Sequence, residues 1–255
     1  MISKNTIKLI KSLAHKKYRQ KHQLILVEGE KNVLEVLDSS LHVTHLFGTA
    51  RFLQNNAEKK IMADNVAEAS PDEIKKASLL KNPQECLALC TMPKENELPA
   101  KLNSFTFFLD GIQDPGNLGT ILRTCDWFGA DTIFCSPDTA DIFTPKVIQA
   151  SMGSFYRVKT IYTPFDKLAE ITAQSKAEVM GTFMDGENIY NTQLPDNAVI
   201  VLGNEGQGIS SEVAAKIGRK LGIPRFHVGE KGPESLNVGV TAAILCSEFK
   251  RRTTA

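Results

Sequence analysis

Three stretches of this 255-residue chain gather glycine, amide and charged side chains at the ends of apolar runs. The first is FTFFLDGIQDPGNLGTILRTCDWFGAD, Phe105 to Asp131, in which an apolar run leads through a Gly/Pro/Asp/Asn loop into an apolar-periodic segment. A strand, a glycine loop and a helix in that order commonly cradle phosphate, because the first turn of a helix presents unpaired N–H groups. Gly111 and Gly116 have the spacing of a P-loop, but Asn117 and Leu118 stand where that motif needs lysine and a hydroxyl. The nucleoside-triphosphate reading therefore fails at its chemically necessary residues. Asn117 instead suits a helix N-cap. Arg123 falls on the face of Gly119 and Thr120, which puts a cation above bare backbone. Surface pairing of Arg123 with Asp126 or Asp131 is the plainer alternative.

The second stretch, VIVLGNEGQGIS from Val199 to Ser210, is an apolar strand running into Gly203-Asn204-Glu205-Gly206-Gln207-Gly208. Its glycines let backbone approach a ligand closely while one carboxylate, Glu205, reaches it. Gly206, Gly208 and Ser211 only partly match a dinucleotide fingerprint, and no acidic strand end follows at the expected place, so a nicotinamide or flavin site is a weak reading. A tight turn with a solvated glutamate explains this stretch equally well when it is taken alone. The third stretch runs from Leu221 to Arg252, where Glu234-Ser235-Leu236-Asn237 precedes an apolar helix that Ser235 and Asn237 could cap.

Elements must hold these loops, and the periodicity supplies them. The first 92 residues alternate a basic amphipathic helix (Ile7, Ile10, Leu13 and Ala14 on one face), a strand at 24–29, a helical EKNVLEVLD and a strand at 43–49. A helix start follows at Ser70, Pro71 and Glu73, a capping box, and then a closing strand at 86–92. That is a small α/β domain. The polar, proline-bearing 93–104 reads as a linker. Residues 105–255 then alternate strands at 105–110, 132–135, 157–161, 178–182 and 198–202 with helices, closing on a helix from Ser235 to Arg252. This predicts a mostly parallel sheet whose ligands lie beyond the carboxyl ends of its strands.

Composition narrows the function classes. With 23% charged and 42% hydrophobic residues, the chain is an ordinary globular protein rather than a disordered or membrane one. Residues 1–103 carry 16 Lys and Arg against 12 Asp and Glu, and Met1 to Val27 holds Lys4, Lys8, Lys11, Lys16, Lys17, Arg19 and Lys21 with no acid. A basic arm suits nucleic acid or an anionic surface, and a solvated first helix is the bland alternative. No apolar run approaches membrane-spanning length, and the amino end lacks the apolar core of a signal peptide. The cysteines at 86, 90, 125, 135 and 246 form no C-x-x-C pair and read as buried hydrophobes of a reducing cytoplasm. The histidines show no metal-ligand spacing, so no metal is expected.

Together, NLGTILRTCDWFGA, LGNEGQGIS and IP…ESLNVGVTAAI resemble, in order and spacing, the three signature motifs of the SpoU (TrmH-type) RNA ribose 2′-O-methyltransferases of the SPOUT superfamily. LILVEGEKNVLEVL with NPQECLALC is similar to the ribosomal-protein-like substrate-binding domain fused to such enzymes. The resemblance implies an α/β domain with a carboxyl-terminal trefoil knot, an obligate homodimer, S-adenosylmethionine as cofactor and RNA as substrate, ribosomal RNA before tRNA. It carries Asn117, Arg123, Glu205, Ser235 and Asn237 over as catalytic. It assigns cofactor contacts to Thr182, Phe183, Gly186, Leu202, Gly203, Gly206, Ile223 and Leu236. Lys16, Lys17, Arg19, Lys21 and Arg225 become the expected RNA contacts. Arg225 departs from the family's methionine, and RFHVGEKGP lengthens the loop that follows, adding His227 and Lys231 as possible contacts. The rival reading is a non-catalytic RNA-binding or assembly protein that keeps the fold.

Overall fold

The computed structural model describes residues 1–227 and 234–253. The chain forms two compact units, one of Met1–Lys94 with Asp141–Tyr156 and one of Glu95–Ala140 with Arg157–Ala255. The second stretch of the first unit thus lies, in sequence, inside the 105–255 segment.

In the first unit, α1 (Lys4–Ser12) starts at Ser3, whose hydroxyl accepts the Thr6 N–H. It is followed by α2 (Lys16–His22), β1 (Leu24–Glu28), α3 (Glu30–Leu37), β2 (Val43–Gly48), α4 (Ala50–Asn55), β3 (Ala63–Glu68), α5 (Pro71–Ala77) and β4 (Cys86–Thr91). The expected capping box opens α5, with Ser70 accepting the Glu73 N–H and the Glu73 carboxylate accepting the Ser70 N–H. The sheet order is β1-β4-β2-β3, with β4 antiparallel to both neighbours and β3 parallel to β2. Neither β3 nor α4 was expected from the sequence. Ala-Asp-Asn-Val-Ala-Glu is an edge strand, largely exposed, so it carries no apolar alternation to read.

Arg19 corrects the sequence reading. It is 2% exposed, and its guanidinium donates to the carbonyls of Leu13 and Ala14 and to Asp141 Oδ2 at 2.8, 2.9 and 2.9 Å. Its cation fastens the α1–α2 turn within the unit and is not presented to RNA, whereas Lys16, Lys17 and Lys21 are exposed. Arg19→Met should lower the unfolding free energy by about 2–3 kcal/mol, since two carbonyls and a carboxylate lose their donor while Asp141 keeps partial water contact. Urea unfolding of the intact chain reads this as a lower midpoint at unchanged slope. A midpoint equal to wild type would refute the anchoring role.

In the second unit, β5 (Thr106–Asp110) leads into α6 (Pro115–Phe128) and β6 (Thr132–Cys135). Helices α7 (Pro145–Ser151) and α8 (Ser154–Arg157) come next in sequence, and α7 packs on β1. The second unit resumes with β7 (Lys159–Tyr162), α9 (Phe165–Ser175), β8 (Glu178–Asn188), β9 (Ala198–Gly203), α10 (Ser211–Ala214), β10 (Arg219–Gly222) and α11 (Val238–Thr253). Six strands form one sheet in the order β10-β8-β9-β5-β6-β7, every pair parallel. The central β9 and β5 are almost wholly buried, as near-continuous apolar runs in a doubly covered sheet should be. Strand β8 outruns its expected end at 182, because its polar second half pairs with β10 past a register shift. The final helix begins at Val238 rather than Ser235.

All five cysteines are buried, and burial pushes the Cys90 thiol up to about 12. Such thiols are inert packing groups. No helix among the described residues is long and apolar enough to cross a membrane, and no His/Cys/Asp/Glu cluster among them could hold a metal.

Candidate active site

The site is built at the carboxyl edge of the parallel sheet, where β5 and β9 lie side by side. Helix α6 is capped by Asp114, whose Oδ1 accepts the Asn117 N–H at 2.8 Å, with Pro115 at the first helical position. Asn117 is therefore not the cap that the sequence reading made it. It sits in the first turn with its side-chain amide released for another use. That amide donates from Nδ2 to Glu205 Oε1 at 2.7 Å and accepts on Oδ1 from Asn237 Nδ2 at 2.8 Å. Asn237 in turn caps α11, its Oδ1 accepting the N–H groups of Gly239 and Val240 at 2.9 and 3.3 Å. Among the described residues, no bond from Ser235 joins that cap.

These bonds are directional as a set. The α11 N–H groups demand the oxygen of Asn237, which leaves its nitrogen for Asn117. Asn117 must then answer with its oxygen, so its nitrogen faces Glu205. Two helix starts and a loop thereby fix one carboxylate oxygen and leave the other without a partner among the described residues. Close packing sets the distance. A Cβ on Gly239 would lie 2.9 Å from Thr120 Cγ2, so glycine lets the start of α11 approach α6 this closely without displacing that side chain.

Asn204 is a positioning residue that the sequence reading passed over. Its Nδ2 donates to the Gly111 carbonyl at 2.6 Å, while its Oδ1 accepts the N–H groups of Gly206 and Gln207 at 2.9 and 3.1 Å. Its main chain exchanges two hydrogen bonds with Gly208. The loop carrying Glu205 is thus closed on itself and tied to the end of β5. An asparagine directly after a strand-ending glycine, with N–H groups two and three residues on, is an Asx-turn signal that the sequence did contain.

Arg123 stands apart from this cluster. Six residues past Asn117, it lies on a different face of α6, about 9 Å farther along the axis. It is exposed and has no ion pair among the described residues, since Asp126 binds Arg157 Nε at 2.7 Å. Gly119 is buried, so the bare backbone expected beneath Arg123 is covered. Arg225 and His227 are exposed, and Lys231 lies outside the described residues.

The residues expected at the cofactor fall within β8, at the end of β9 and in its loop, just beyond β10, and beside the start of α11. Thr182 Oγ1 donates to the Val201 carbonyl at 3.2 Å, joining β8 to β9 just ahead of Leu202 and Gly203. Leu202 is fully buried and offers only its main chain there. Phe183 lies beneath Lys220, whose Nζ is 4.8 Å from the ring centroid. A Cβ on Gly186 would lie 2.3 Å from the Leu221 carbonyl carbon, and one on Gly203 as close to the Gly208 carbonyl carbon and the Ile209 nitrogen. At Gly206 a Cβ would meet only Asn204 Oδ1, at 3.7 Å. Ile223 is half-buried just beyond β10, and Leu236 is exposed next to the cap.

A parallel sheet whose adjacent strand ends carry main-chain-lined loops, with a carboxylate oriented by an amide chain beside them, defines an α/β unit of the ligand-binding, group-transfer class. The SpoU rRNA Methylase family model matches residues 104–247, and the MRM3-like substrate binding domain matches residues 4–88. The chain belongs to the SpoU rRNA methylase family. It is 30% identical over 242 residues, 92% of each chain, to the 23S rRNA (guanosine(2553)-2′-O)-methyltransferase RlmP of Bacillus subtilis (strain 168). A TrmH-family protein of Porphyromonas gingivalis shares 41% identity and superposes over 99% of both chains with a TM-score of 0.86. An AdoMet-bound rRNA methyltransferase from Sinorhizobium meliloti, at 24% identity and TM-score 0.83 over 99% of this chain and 97% of its own, shares the fold.

Proposed function

We propose that the chain methylates a ribose 2′-hydroxyl of RNA with S-adenosylmethionine, and that the RNA is ribosomal. The observation that carries this reading is the convergence of all three motif segments in one hydrogen-bonded chain, Glu205–Asn117–Asn237. Family membership and the kinship with an rRNA 2′-O-methyltransferase support the substrate class.

S-adenosylmethionine, when bound, supplies an electrophilic sulfonium methyl. Main-chain groups around Thr182, Gly186, Leu202, Gly203 and Gly206, with the apolar side chains of Phe183, Ile223 and Leu236, fit a nucleoside better than a polyphosphate. The open space at Gly206 leaves room for it. On the RNA side, the hydroxyl must be aligned and give up its proton. Arginine is always charged and cannot take that proton. The free oxygen of Glu205 is the acceptor this chain holds ready, while Arg123 serves as a phosphate clamp. Asn117 and Asn237 orient Glu205, and Ser235, two residues before Asn237 in the same motif, helps orient the nucleophile. Positioning supplies much of the rate in such a transfer.

The carboxyl-terminal trefoil knot and the homodimer complete the reading. Trp127 on α6 is 85% exposed and Val240 on α11 is 48% exposed, apolar surface of the kind that a second copy covers. Residues 1–92 and 105–255 would act as the RNA-binding and transferring domains, with 93–104 joining them. Lys16, Lys17, Lys21 and Arg225 contact RNA, and the site of action is the cytoplasm.

Labelled methyl transfer to unmodified large-subunit ribosomal RNA and, in parallel, to bulk tRNA tests the reading. Label in ribosomal RNA at a nucleotide resistant to alkaline cleavage is the expected result. Label confined to tRNA would overturn the substrate class. No transfer to either, with no cofactor binding, would favour the non-catalytic reading.

A further inference from the structure

The first unit carries an aromatic face that the methyl-transfer chemistry does not use. His15 stands at the N-cap position of α2, and Tyr18 and His22 follow at the third and seventh positions after it, so the three rings share one side of a single helix. His15 meets Tyr18 edge-on at 6.3 Å between centroids, and Tyr18 stacks on His22 at 6.4 Å with planes 18° apart. Tyr18 is 39% exposed, and both histidines are exposed. Lys21 lies one turn from both Lys17 and Tyr18, so exposed ammonium groups border the rings directly.

What holds this face is as telling as its composition. Arg19, one turn after His15 and one turn before His22 at the inner border of this face, is locked to Leu13, Ala14 and Asp141. Gln23 ends α2 in a left-handed conformation, and β1 begins at the next residue. The rings therefore stand on a helix fastened at its middle and its end, so little is lost in ordering them against a ligand. Nothing acidic occurs from Met1 to Val27 to oppose an anion.

We infer that the His15–Tyr18–His22 face of α2 is a stacking platform for an unpaired RNA base, with Lys17 and Lys21 gripping the phosphates on either side of it. Rings with adjoining cations recognise single-stranded nucleic acid, since every base offers a π-face and its backbone offers charge. A duplex keeps its bases stacked on one another and gains only the lysine contacts. The inference rests on the RNA reading above and adds to it the place and mode of contact.

The test uses the full chain and two RNA probes, a stem-loop with an unpaired uridine loop and a blunt duplex of the same stem, with affinity read by fluorescence anisotropy. Tyr18→Ala should weaken stem-loop binding about tenfold or more and leave duplex binding unchanged. Tyr18→Phe should bind as wild type, and His22→Ala should show part of the Tyr18→Ala loss. Lys17→Ala with Lys21→Ala should weaken both probes and flatten the dependence on salt. Equal stem-loop affinity in Tyr18→Ala and wild type would overturn the platform. So would equal losses on both probes, or a Tyr18→Phe loss matching Tyr18→Ala. Methyl transfer separates the two readings. Stem-loop binding through Tyr18 without any transfer would reject the catalytic reading alone. Transfer whose KM ignores Tyr18→Ala would reject the platform alone.

Discussion

Asn237→Asp should leave the fold intact and lower kcat for methyl transfer about a hundredfold. Aspartate caps a helix as well as asparagine and suits the positive end of the dipole, so α11 keeps its start and the melting temperature barely moves. What changes is the other end of the side chain. An oxygen now faces Asn117 Oδ1, where an N–H stood at 2.8 Å. Asn117 must turn its amide over to answer it, which aims Oδ1 at Glu205 in place of the donor now 2.7 Å away. Two oxygens cannot share that contact, and the carboxylate swings out of line. S-adenosylmethionine affinity, which rests on main-chain groups and apolar side chains that this change leaves in place, should hold, which separates this loss from a damaged pocket. Adding Glu205→Gln should relieve the clash without restoring activity, since its amide nitrogen turns to Asn117 and the oxygen left facing the site is too weak a base to take a proton. Single-turnover rates within about threefold of wild type for Asn237→Asp would show that the amide chain does not orient Glu205.

The pieces of that chain were legible in the sequence, and their joining was not. Short apolar runs located β1, β5, β6 and β9, because strands buried along nearly their whole length have no polar face to disguise them. The capping box at Ser70 was found from three residues alone. The α6 start was misread by three positions although Pro115 held the answer. Proline favours the first helical position, which makes Asp114 the cap and frees Asn117. Arg19 failed for another reason. A sequence shows a cation among cations, and only the packing of α2 shows that one of them faces inward onto Asp141. The contacts that matter most join residues 88 and 120 positions apart, and no local rule of period or cap reaches that far. Family resemblance named Asn117, Glu205 and Asn237 as one site. The directions of their bonds, and the separation of Arg123 from them, are set by the fold.

Gly203→Ala should be among the most damaging single changes in the second unit, although it adds one methyl group. That carbon would lie 2.3 Å from the Gly208 carbonyl carbon and the Ile209 nitrogen, both backbone, so no side chain can turn aside to admit it. The strand end must part from the loop, and the paired bonds between Asn204 and Gly208 are the first to go. Overpacking of this kind costs about 1–3 kcal/mol, and two lost backbone bonds raise the total toward the upper end. The melting temperature should fall by roughly 5 °C or more. Gly206→Ala is the matched control in the same loop. Its new carbon meets only Asn204 Oδ1 at 3.7 Å, an ordinary contact, so stability should hold. The two variants then divide structure from binding. Gly203→Ala loses the loop and, with it, both Glu205 orientation and cofactor affinity. Gly206→Ala keeps the fold and weakens S-adenosylmethionine binding alone, because its methyl takes space that the nucleoside needs. Calorimetric titration with S-adenosylmethionine, set beside thermal melts of both variants, decides the matter. Equal melting temperatures for Gly203→Ala and wild type would contradict the close approach, and undiminished cofactor affinity in Gly206→Ala would move the binding site away from this loop.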